Sequence, residues 1–231
     1  MKASTTAMTL AMLTMPMLAE AAWSGKGEAG AALANANTGA TTTTVTVKFD
    51  LAREDEQWKH AFGASTIYTS ARAEASADEP NPDEETTAKR WEVHEQSDYK
   101  FNMRAFWFGA VRHENDDIGS FRYQSALTTG LGYHLIDDEA TKLSLQLGAG
   151  YKRFRNRGEP DAEGDAIVTG LVDLRQVLTA NTVLLNKLSV ESGASNTLIQ
   201  NDLALQVKIS DVLALALGYQ VKSNTEPGAH A

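Results

Sequence analysis

The feature that most limits what this chain can become is an alternation that keeps returning. In KLSLQLGAGYK, Leu143, Leu145, Leu147, Ala149 and Tyr151 fall on one side of an extended backbone, and Ser144, Gln146, Gly148, Gly150 and Lys152 on the other. Val45, Val47, Phe49 and Leu51 oppose Thr46, Lys48 and Asp50 in the same way; Leu127, Leu131, Tyr133 and Leu135 oppose Thr128, Gly130, Gly132 and His134. Late in the chain, Leu203, Leu205, Val207 and Ile209 oppose Gln206, Lys208 and Ser210, and Leu213, Leu215, Leu217 and Tyr219 oppose Gly218 and Gln220. A helical period never wins over a comparable span, so the chain is all-β.

Breaks rich in Pro, Gly, Asp, Glu and Asn separate the copies, and they come in two kinds. Short ones lie near 53–57, 100–104, 136–141, 178–182 and 210–212; longer or looser ones lie near 35–40, 70–89, 114–122, 155–165, 192–196 and from 223 onward. The kinds alternate. An antiparallel up-and-down sheet with tight turns at one end and long loops at the other has this order, and outer-membrane barrels are built that way.

Aromatic spacing suggests the medium. Trp58 and Tyr68 share a face ten residues apart, which for a tilted strand spans about 25 Å along a barrel axis, the usual height of the lipid-facing band. Trp91, Tyr99, Tyr133, Tyr151 and Tyr219 are the other candidates for interfacial girdles. The apolar side is thus expected to face lipid in a transmembrane β-barrel. Its lumen would be lined by Lys48, Asp50, Arg90, Glu92, His94, Asp98, Lys152, Asp173, Arg175 and Lys208, of both charge signs, with glycines leaving room beside them. A soluble β-barrel with the same alternation is the competing reading.

The N-terminus fits export. MKASTTAMTLAMLTMPMLAEA holds Lys2, an apolar run from Met8 to Leu18, and Ala19-Glu20-Ala21 as a small-x-small site, so residues 1–21 read as a signal peptide and 22–231 as the barrel domain. That apolar run is shorter than the roughly 20 residues of a spanning helix. With no cysteine, disulfides and thiolate chemistry are excluded. A net charge of -9 argues against a nucleic-acid partner, which demands Lys and Arg for its phosphates. The expected location is the outer membrane of a Gram-negative bacterium, and the expected partners are its lipid, lipopolysaccharide and the barrel-assembly machinery.

Several segments resemble one family. AWSGKGEAG, TVTVKFDLARE, EQWKHAFGAS, YQSALTTGLGYHLID, LSLQLGAGYK, VESGASNTLIQNDLALQV and LALALGYQVKSN are similar to the YdiY-like salt-induced outer membrane proteins, domain of unknown function 481. The resemblance implies an outer-membrane β-barrel and no established activity. One departure stands out: eleven strands are visible between Trp23 and Lys222, whereas barrels of this kind have even numbers. In the resembled family another strand ending in an aromatic residue follows the last loop, while here NTEPGAHA ends the sequence. A twelve-stranded intact parent, read here without its last strand, is the expectation.

No nucleophile elbow, HExxH or phosphate loop accompanies the histidines, and nothing calls for a cofactor or a metal. Glu92, His94 and Asp98 share a strand face and are expected to form a lumen ion-pair network, His60 falls beside Trp58 on the apolar side, and His134 packs near a turn. The acidic loop ASADEPNPDEE reads as solvated. Basic groups in RFRNRG, Arg153 to Gly158, stand at the long-loop end, where lipid phosphates would meet them. The sequence points to a non-enzymatic barrel of structural, envelope-stress or narrow-channel type. A lipid-modifying enzyme using His94 or His134 with a carboxylate, or a soluble periplasmic barrel holding a small apolar ligand, are the alternatives.

Overall fold

The computed structural model describes residues 9–13, 23–35, 41–73, 82–119, 121–210 and 213–224. The expected cleavage point after Ala21, most of the acidic loop and the residues after Asn224 lie outside them.

Eleven long strands run up and down: β2 (Trp23–Asn35), β3 (Thr41–Glu54), β4 (Trp58–Arg72), β5 (Glu84–Lys100), β6 (Ala105–Asp116), β7 (Phe121–Asp137), β8 (Thr141–Asn156), β9 (Glu163–Thr179), β10 (Thr182–Gly193), β11 (Thr197–Lys208) and β12 (Leu213–Asn224). Each pairs antiparallel with its sequence neighbour, and the sheet curls into a ring. An odd number of such strands leaves the first and last parallel. A five-residue strand, β1 (Thr9–Leu13), lies between them antiparallel to both and closes the barrel: Thr9–Leu13 pair with Leu213–Leu217, and Leu10–Leu13 with Gly27–Gly30. The closing strand therefore comes from the apolar run that the sequence presents as a leader.

Tight turns at one end share a local device. The side-chain oxygens of Asp55, Asn102 and Asp138 each accept N–H groups two and three residues on: Gln57 (2.9 Å) and Trp58 (2.7 Å), Arg104 (2.8 Å) and Ala105 (2.9 Å), Ala140 (2.9 Å) and Thr141 (2.6 Å). Asx turns of this kind fix hairpin register. The N–H groups of Trp58 and Gln57 hold the Asp55 carboxyl below the usual carboxylate range. Its contribution is present at neutral pH and fades as pH falls through the lowered pKa.

At the other end, strands run further into the expected loops than the hydrophobic pattern indicated. β4 continues to Arg72 and β5 begins at Glu84, where the two side chains approach at 3.6 Å; β6 and β7 leave only 117–120 between them. Ladder hydrogen bonds need backbone, not apolar side chains, so polar residues extend the sheet beyond its oily band.

Contacts between distant strands identify the interior. Arg112 on β6 reaches Glu191 on β10 at 3.0 Å, and Gln96 on β5 reaches Gln146 on β8 at 3.3 Å. Side chains so far apart along the sheet meet only across its concave side. The outer face is the oily one: Leu127, Leu131, Leu147, Val168 and Leu217 are 59% to 63% exposed, while Lys152 is 2% exposed on the inside. A water-soluble fold has the reverse distribution.

The interior is not purely polar. Phe106, Phe108, Phe154 and Ile167 are buried there, and the glycines expected to leave room do so for two of these rings. A Cβ on Gly132 would overlap the Phe106 ring, and one on Gly148 would come within 2.8 Å of Phe108. Replacing Gly132 with Val should cost about 1–3 kcal/mol by overpacking. Chemical unfolding of the refolded barrel should show that loss, and Phe106→Ala combined with Gly132→Val should recover a large part of it; equal losses in both variants would contradict this packing.

Candidate functional site: a charged network across the interior

Strand parity delivers acids and bases to one level of the barrel, near the loop end. Arg90, Glu92 and His94 come from β5, Arg112 and Glu114 from β6, Lys152 from β8 and Glu191 from β10. Glu191 is the bridge, accepting from Arg112 Nη2 at 3.0 Å on one oxygen and from Lys152 Nζ at 2.9 Å on the other. Lys152 Nζ also donates to Asn196 Oδ1 (3.0 Å), in the connection between β10 and β11, and lies 5.7 Å from the Phe154 ring. Arg112 continues to Glu114 (3.4 Å) and Glu92 (3.8 Å), Glu114 to Arg90 (3.6 Å), and Glu92 to His94 Nδ1 (3.4 Å). The chain of charges thus crosses from β5 to β10.

The loop over this level is tied down as well. Asp165 Oδ2 accepts from Ser195 N at 2.8 Å and Ser195 Oγ at 2.5 Å. Below the network, the Phe106 and Phe108 rings and the Gln96–Gln146 pair occupy the next levels. Side chains from β5, β6, β8 and β10 thus reach into the interior at successive levels.

The sequence candidates divide. Arg90, Glu92, His94 and Lys152 join the network. Asp98 does not: it is buried below them, where Gln96 Nε2 donates to it at 2.7 Å. Lys48 and Asp50 share the β3 face of buried Thr46, and the His94 ring lies over Gly63 beside Asp50. Asp173 and Arg175 lie opposite Ser144 and Lys142 on the face of Lys152, and Lys208 ends β11. His134 packs its ring 5.1 Å from Phe106.

On the outside, Trp58 and Tyr99 touch edge to face at 5.1 Å near the tight turns, with Tyr133 on the same outer face; Tyr68, Trp91 and Tyr151 stand toward the loops. Tyr219 is 70% exposed but sits midway along β12 instead of near an end.

Sequence reasoning passed over Glu114, Arg112, Trp107 and His113. Phe106-Trp107-Phe108 is apolar on both faces, so alternation gives no signal there; Trp107 faces out opposite Tyr99, and the phenylalanines face in.

A family model described as "Protein of unknown function, DUF481" matches residues 27–231. The chain belongs to that family. No curated protein and no solved structure matches it. Among the described residues of this DUF481 barrel, no group of three or more His, Asp or Glu is placed to hold a metal ion.

Chemically, the network is a strut. Each charge has an opposite partner, and Lys152 is almost fully enclosed. Removing one partner of such a pair leaves an uncompensated buried charge and costs about 3–5 kcal/mol. Glu191→Gln should therefore destabilise the DUF481 barrel by an amount in that range in unfolding titrations, and adding Lys152→Met should return part of it. A double variant weaker than the single would contradict the assigned pairing.

Proposed function

We propose that this DUF481 chain is a bacterial outer-membrane β-barrel of structural, envelope-stress or narrow-channel type, without enzymatic activity, whose interior is held shut to bulk solutes by its own side chains. The observation that carries the membrane part is the inverted surface: large apolar residues exposed all around the outer face, aromatic rings toward both ends, and charges paired inside. Strands of 12 to 17 residues (β6 and β5) exceed the roughly 9–11 needed to cross a bilayer. The similarity of segments such as AWSGKGEAG and LSLQLGAGYK to salt-induced outer membrane proteins supports export to the outer membrane and assembly there.

The strut between β5 and β10 supports a closed or narrow pore over a wide one. Ion flow through a barrel requires a continuous wet path, and crossed ion pairs backed by phenylalanines interrupt it.

Planar-bilayer recording tests this. The refolded protein should insert with little or no steady conductance, and the combined Arg112→Ala, Lys152→Ala and Glu191→Ala variant, which removes the bridge without leaving a lone charge at its centre, should conduct several-fold more. A large steady conductance from the unaltered protein would overturn the closed interior.

A further inference from the structure

On the outer face, a groove of about 470 Å³ crosses strands β4 to β8. Register pairs place nine of its twelve lining residues in two outward rows; the other three, His94, Arg112 and Ala126, hold inward-facing positions. One row is mostly apolar: Phe62, Glu95, Val111, Leu127 and Tyr151 stand opposite one another in turn. Next to it on the loop side, Val93 is followed by a polar row, His113, Ser125 and Arg153.

The polar row lies at the level of the loop-end aromatics. The His113 ring is 5.2 Å from Trp91 and 6.3 Å from Tyr123, and its Nδ1 lies 2.8 Å from Ser125 Oγ. Arg153 is exposed and, among the described residues, has no carboxylate within ion-pair distance. Its neighbours differ: Arg155 donates to the carbonyls of Glu159 (3.1 Å) and Pro160 (2.6 Å), and Arg157 to those of Gly119 (2.9 Å) and Asp116 (2.7 Å). The groove's one acid, Glu95, turns the other way and accepts from Ser97 Oγ at 2.5 Å, which in turn meets His60 Nδ1 at 2.7 Å. A cation and a ring–hydroxyl pair thus cap an oily channel at interfacial height.

We propose that this groove binds one lipid with a net-anionic phosphate headgroup, the phosphate on Arg153 and the His113–Ser125 pair and an acyl chain along Val111 and Leu127 between Phe62 and Tyr151. The proposal rests on the membrane reading above. An arginine fork suits phosphate oxygens, and each basic residue near a membrane surface favours anionic lipid by about fivefold.

The test keeps Trp91 as sole tryptophan (Trp23, Trp58 and Trp107 changed to Phe) and refolds the protein into phosphatidylcholine vesicles carrying a minor fraction of chain-brominated lipid. Brominated phosphatidylglycerol should quench Trp91 as though enriched about fivefold over brominated phosphatidylcholine at equal fraction. Arg153→Gln should remove that excess, and Arg155→Gln, whose arginine is held by carbonyls, should keep it. Heat-modifiable gel mobility reports insertion separately. Inserted protein with equal quenching by the two lipids, or equal loss in both arginine variants, overturns the lipid site and leaves the barrel standing; failure to insert with either lipid overturns the membrane reading and the site with it.

Discussion

A strand in hydrocarbon has only another strand to receive its N–H and C=O groups, each costing several kcal/mol if left alone. That demand organises this molecule on the proposed membrane reading. It explains why β3 to β11 each pair along both sides, why the ladder runs past the oily band into polar residues, and why the odd eleventh strand needs something between itself and the first. Over five residues that something is Thr9–Leu13, antiparallel to both neighbours as parity requires. Beyond those residues, the facing edges of β2 and β12 have no strand partner among the described residues.

Once the ladder is closed, side-chain parity fixes the rest. On the same proposed reading, outward positions suit acyl chains, so charges are sent inside, where they find one another across the interior. Glu191 serves two cations at once, and the glycines of β7 and β8 accept rings from β6. The closed interior and the oily exterior follow from one alternation seen from two sides.

Much of this was legible in the sequence because period two is a strong signal when repeated: the strand succession, the tight-turn end and the outward aromatics Trp58, Tyr68, Trp91 and Tyr99 can all be read from it. What could not be read has physical causes. An apolar run such as TLAML suits a leader and a short strand alike, since apolar runs lack period. Phe106-Trp107-Phe108 is apolar on both faces, so its inward members were hidden. Ion pairing between β6 and β10 depends on curvature, which no local pattern encodes; the shared strand face groups Asp98 with Glu92 and His94, whereas in the fold Gln96 donates to it. The DUF481 family match agrees with the resemblance carried by segments such as LSLQLGAGYK and GLGYHLID.

The central claim is that the outer face is bathed in acyl chains. Because the chain has no cysteine, single nitroxide labels can be attached one at a time along β8 from Leu143 to Lys152, in protein refolded into vesicles. Collision with oxygen should be high, and with a water-soluble nickel chelate low, at Leu145, Leu147 and Ala149, alternating with the reverse or with hindered positions at Ser144, Gln146 and Gly148. Ready access of the nickel reagent to Leu145 and Leu147 would show that water covers that face, and would contradict the account.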